Sequence, residues 1–109
     1  MHTITFSNDK GTLTIFIERD IDHHNAADLR LEIDRAIELM PAREIRLDFD
    51  SVEFMDSSGL GLILGRYTKI RDLQGSMKIE DPSKEIEKIL TLAGVDRLIP
   101  IVKTGKVGN

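Results

Sequence analysis

Ser57 and Ser58 stand between Asp56 and Gly59, and a second polar cluster, Asp20, Asp22, His23 and His24, lies some distance upstream. A serine in such company can act as a nucleophile, as a helix cap or as a phosphate acceptor. Nucleophilic work needs a base against the hydroxyl and an acid orienting that base. Only His23 or His24 offers a base for Ser57, and no nucleophile, base and orienting acid stand together in the chain. The residues therefore read as a binding site and not as an enzyme. Capping and phosphorylation both suit a helix N-terminus, where amides lack partners and the macrodipole is positive. A phosphate there would add about −1.5 to −2 charges beside Asp22 and Asp56, enough repulsion to expel an acidic or closely packed partner. In the unmodified state Asp22 is expected to accept a hydrogen bond from Ser57 and hold its hydroxyl.

Other chemistries are poorly supplied. His23 and His24 are adjacent, which points them apart on a regular element, and His2 is the one further histidine, so no zinc site is expected. Gly59, Gly61 and Gly65 do not make the dinucleotide pattern, and no Gly-Lys-Ser/Thr follows to make a phosphate loop. Asp20, Asp22, Asp48, Asp50 and Asp56 resemble the acidic pocket of a phospho-aspartate receiver, but the paired acids that should follow its first strand are missing. No cofactor is expected.

The elements that must position these residues follow from periodicity. Ile45, Leu47 and Phe49 alternate with polar residues as in a strand, and Leu60, Ile63, Leu64, Tyr67 and Ile70 make a helical stripe running to about Leu73. The serines therefore sit where a strand hands over to a helix. Upstream, Thr3–Phe6 and Thr12–Ile17 alternate around Asn8-Asp9-Lys10-Gly11, which reads as a hairpin with those four residues in its turn. A polar loop from Glu18 to Asn25 leads to a helix with Leu29, Ile33, Ala36, Ile37 and Met40 inward, capped by Asn25 or Asp22 and stopped at Pro41. Downstream, Gly75 reads as the stop of the second helix and Met77-Lys78-Ile79 as a strand. Ser83 opens a third helix with Ile86, Ile89, Leu90 and Ala93 inward, and Leu98–Val102 reads as a last strand. The order β-β-α-β-α-β-α-β predicts an α/β domain over residues 1–102: an initial hairpin, then parallel strands joined by right-handed crossovers, covered by helices. Residues 103–109 read as a flexible tail.

Composition agrees. The 109 residues carry 40% hydrophobic and 31% charged residues and no cysteine, which suits one core and excludes a disulfide framework. A net charge of −4 and a pI near 5.3 argue against a nucleic-acid surface. No apolar run is long enough to span a bilayer and no signal peptide opens the chain, so a cytoplasmic protein with protein partners and no membrane is expected.

Phe54-Met55-Asp56-Ser57-Ser58-Gly59-Leu60-Gly61, followed by Ile63-Leu64-Gly65-Arg66-Tyr67, resembles the signature of STAS-domain anti-sigma factor antagonists, most of all the sporulation members. The stretch Ile21-Asp22-His23-His24-Asn25-Ala26 is a second match. The resemblance implies a single STAS domain whose unphosphorylated form binds an anti-sigma factor that is also a serine kinase, freeing a sigma factor. It implies phosphorylation at Ser57, the serine directly after the aspartate, and reset by a serine phosphatase. The implied partner surface is Asp22, His23, His24, Asp56, Ser57, Ser58, Gly59, Gly61 and Arg66. A scaffold subunit of a stress-signalling assembly is the alternative within the family. Two departures stand out: Arg19, where many relatives have glycine, and the missing C-terminal helix.

Overall fold

The computed structural model describes residues 4–105. Strands β1 (Ile4–Asp9) and β2 (Thr12–Ile17) form the antiparallel hairpin, with Asp9 opposite Thr12. The turn is thus only Lys10-Gly11, both at positive φ as a two-residue hairpin turn of the primed type demands. Asn8 and Asp9 belong to the strand and not to the turn, because the ladder continues until backbone handedness must reverse.

Helix α1 (Ala26–Leu39), strand β3 (Glu44–Asp48), helix α2 (Ser57–Asp72), strand β4 (Ser76–Glu80), helix α3 (Lys84–Leu92) and strand β5 (Ile101–Val102) follow. Strand order in space is β1-β2-β3-β4-β5, with every pair after the hairpin parallel. Parallel neighbours in sequence order require successive crossovers in one direction, and a common right hand places the helices on one face. Burial agrees: Leu13, Ile15, Ile17, Ile45, Leu47, Met77 and Ile79 are buried. Their alternates Thr14, Arg46 and Lys78 are half-exposed on the other face. That second face is held by cross-strand pairs, Arg46 with Glu80 at 2.8 Å and Lys78 with Glu44 at 2.9 Å.

Ends of elements show where local signals were overridden. The second helix ends at Asp72, and the residue that turns the chain left-handed beyond it is Gln74 and not Gly75: the Gln74 amide donates to Arg71 O, and the Gly75 amide donates to Ile70 O. Gly75 is needed for another reason, since a Cβ there would lie 3.1 Å from Ile70 Cγ2 and 3.2 Å from Arg43 O. The last strand is only two residues. Val95–Arg97 forms a 3-10 turn and the Ile99 amide donates back to Val95 O, so Leu98 and Ile99 leave the ladder. Of the expected tail, Lys103 is paired with Glu87, and Thr104 donates from its amide and hydroxyl to Asp81. Residues 103 and 104 are therefore docked, and 106–109 lie outside the described residues.

Helix α2 is rotated from the expected stripe. Leu62, Ile63, Arg66 and Ile70 are buried, whereas Leu60, Leu64 and Tyr67 are only partly covered. The reason is that α1 packs on its flank, so α2 faces both the sheet and a neighbouring helix.

Candidate functional site

Two loops leave the C-terminal ends of β2 and β3 and are stitched together beyond the sheet, where crossover folds gather their sites. Ile21 and Met55 form a parallel bridge, with Ile21 N donating to Phe54 O and Asp56 N donating to Ile21 O, both at 3.1 Å. Both side chains are buried. Asp20 completes the joint by accepting from the amides of Glu53 and Phe54 at 2.9 and 3.0 Å. Neither Ile21 nor Asp20 stood out in the polar loop as a joining residue. The available signal was an isoleucine among acids, a hydrophobe that must be buried somewhere.

Asp56 is the pivot. It is the N-cap of α2: its Oδ1 accepts from the Ser58 amide at 2.8 Å, while its Oδ2 accepts from the His23 amide at 3.2 Å and lies 3.6 Å from His23 Nδ1. One carboxylate thus ties the first loop to the helix that carries the serines. The Ser58 amide is the main cause that holds the Asp56 carboxyl below the ordinary carboxylate range; partial burial opposes it, and the Ser58 hydroxyl and His23 add to the lowering. A depressed carboxyl stabilises the fold fully above its unfolded value of about 3.9, and that contribution disappears as pH falls through the still lower folded value. Asp56→Ala should melt below the unchanged protein at pH 7, with Asp56→Asn closer to it because the amide oxygen still caps. The gap to the alanine variant should close on acidification; a constant gap from pH 7 to pH 3 in thermal melts would contradict this role.

With Asp56 as cap, Ser57 is the first helical residue and does not cap. Its side chain is exposed, and among the described residues its hydroxyl takes no hydrogen bond, whereas Ser58 is half-buried. Asp22 does not hold Ser57. Its Oδ1 accepts from the amides of His24 and Asn25 at 2.8 and 3.1 Å, and Asn25 Oδ1 accepts from the Asp22 amide at 3.0 Å, a reciprocal arrangement like a capping box that starts α1. One oxygen of the carboxylate is thus taken up by its own loop, where the Asn25 amide also donates to Asp22 O at 3.3 Å. His23 and His24 lie on the surface with ring centroids 4.0 Å apart. Phe54, 56% exposed in the second loop, sets an apolar side chain on the same surface, one that residue-by-residue reading had left out of the site.

The three glycines separate. Gly59 is buried against Met55, and a Cβ there would fall 2.2 Å from Met55 Cγ. Gly61 and Gly65 face open space, so tight packing on the sheet does not explain them. Arg66 is not an exposed surface charge. It is buried in the seam between α1 and α2, with Nε 2.8 Å from Asp34 Oδ1. The rotation of α2 brought it inside. Among the described residues no group of three or more His, Cys, Asp or Glu is placed to hold a metal, and no helix is long and apolar enough to cross a membrane.

The sequence matches the STAS domain family over residues 3–106. It is 34% identical over 98 residues to the anti-sigma F factor antagonist of Paenibacillus polymyxa, covering 90% of this chain and 84% of that one. The fold is similar to that of the anti-sigma factor antagonist SpoIIAA in its unphosphorylated form, with TM-score 0.78 and 26% identity over 94% of this chain and 89% of that one. It is also similar to the Bacillus cell fate determinant SpoIIAA in its phosphorylated form, with TM-score 0.71, 26% identity and 94% and 92% coverage. A Ser-bearing helix start tied to a His-His loop by one capping aspartate is thus set in a chain that belongs to the STAS-domain family, among its anti-sigma factor antagonists.

Proposed function

We propose that the unphosphorylated chain binds an anti-sigma factor that is also a serine kinase, so freeing a sigma factor in the cytoplasm, and that phosphorylation of Ser57 ends the interaction until a serine phosphatase resets it. The observation that carries this reading is the division of labour at the helix start: Asp56 takes the cap, leaving the exposed Ser57 hydroxyl available to a kinase. The likeness to a relative solved in both unphosphorylated and phosphorylated forms supports it. Asp22 enters the proposal as an organiser of the loop and a source of negative charge. His23, His24, Asp56, Ser58, Gly59 and Gly61 complete the surface, with Phe54 as an exposed apolar contact.

Phosphate at Ser57 stays compatible with the helix N-terminus, so the fold is preserved while the surface gains strong negative charge. Incubation with ATP and an anti-sigma kinase from the same organism, followed by intact mass and peptide mapping, should show a single phosphate on Ser57 and none on Ser57→Ala. A phosphate mapped elsewhere, or none from any such kinase that binds the chain, would refute the switch.

A further inference from the structure

Between α1 and α2 runs an open groove of about 290 Å³, lined by Ala26, Ala27, Arg30, Gly61, Gly65 and Arg66, with Ser58 also on its wall. A Cβ on Gly61 or Gly65 would meet no atom within 4 Å. Each mid-helix glycine weakens its helix against alanine, and no contact among the described residues calls for either one. Arg66 adds a buried charge to the wall of the groove. Its side chain is only 9% exposed. Although Nε lies 2.8 Å from Asp34 Oδ1, the two are out of line for a hydrogen bond, and both atoms are buried without a hydrogen-bond partner. A guanidinium has five donors, and among the described residues this one donates none to a hydrogen bond. Burial pulls its pKa down, Asp34 counters that, and nearby Arg30 lowers it further. Arg30, 65% exposed at the rim, lies 3.9 Å from the same Asp34. Two guanidinium groups share one carboxylate here, which leaves an uncompensated positive charge in a chain of net charge −4.

We propose that this groove seats a carboxylate side chain of the anti-sigma partner, taken by the guanidinium groups of Arg30 and Arg66, with Gly61 and Gly65 admitting the backbone that carries it. The proposal rests on the antagonist reading above and names the chemistry of the partner. Planar, bidentate recognition is what arginine offers a carboxylate, and the bare glycine face allows the approach. It also connects the groove to the switch. A phosphate on Ser57, adjacent to groove-lining Ser58, brings negative charge to the seat that must accept a carboxylate.

The test is the affinity of the full chain and three variants for an anti-sigma factor from the same organism, with circular dichroism melts as the check on folding. Arg30→Glu and Gly65→Leu should each weaken binding at least about tenfold while remaining folded, and Arg30→Gln should weaken it less and flatten its salt dependence. Replacing single Asp and Glu residues of the partner by Arg should yield one variant that recovers binding to Arg30→Glu. Folded Arg30→Glu and Gly65→Leu proteins that both bind within about twofold of the unchanged chain would overturn the groove while leaving the antagonist reading intact. If the unchanged chain binds no anti-sigma factor, that reading falls and the groove falls with it.

Discussion

Phosphorylation of Ser57 should lower affinity for the anti-sigma kinase by about a hundredfold or more, and Ser57→Asp, which supplies only one negative charge, by at least about tenfold. The magnitude follows from position. Asp56 lies directly before Ser57 and Asp22 belongs to the adjoining loop, so new charge arrives where two carboxylates already stand. A partner surface pressed on this edge would strip water from all of them, and juxtaposed like charges across an interface cost several kcal/mol. Ser57→Ala should bind like the unchanged chain and resist the kinase, because its hydroxyl takes no hydrogen bond among the described residues and Asp56, not Ser57, caps α2. Isothermal titration of the three proteins separates these outcomes. An Asp variant that keeps full affinity would exclude charge as the means of release.

The second large effect is a contrast among glycines of one helix. Gly59→Ala should destabilise the fold by about 1 to 3 kcal/mol, because the added carbon would sit 2.2 Å from Met55 Cγ and 2.3 Å from Sδ. Met55 cannot easily retreat: it is 3% exposed, and its backbone forms the bridge to Ile21 that joins the two loops. Phosphorylation of the variant should slow as well, since the loop that presents Ser57 would shift. Gly61→Ala and Gly65→Ala should do the opposite, each stabilising by roughly 0.5 to 1 kcal/mol through helix propensity alone, because their added carbons meet open space. Urea melts of the three variants measure both signs at once. Destabilisation by the Gly61 or Gly65 change would mean that α2 packs there after all.

Much of this protein was legible from its residues. Period-two alternation in Thr12–Ile17 and Ile45–Phe49 marked strands with one buried face, and the apolar stripes from Leu29 and from Ile86 marked α1 and α3, because these signals depend only on which side meets the core. The serine motif and the His-His loop were visible for the same reason that local chemistry is: the residues are consecutive. What resisted reading involved partners distant in sequence. Asp22 looked like a partner for Ser57 until its carboxylate was found occupied by the amides of its own turn. Arg66 looked exposed until α1 covered that flank of α2 and buried it beside Asp34. Glycines that look alike in one motif were divided by what stands across from each, Met55 for Gly59 and nothing for Gly61 and Gly65.

The sequence by itself determined the element order and the family, and singled out the serine proposed as the switch, since periodicity and a contiguous motif carry them. Only the tertiary structure decided which aspartate caps the serine helix, which arginine lies beneath the groove and which residues join the two loops. Hydrogen-bond acceptors and buried charges are assigned by competition among groups brought together from separate elements, and that competition exists only once the chain has folded.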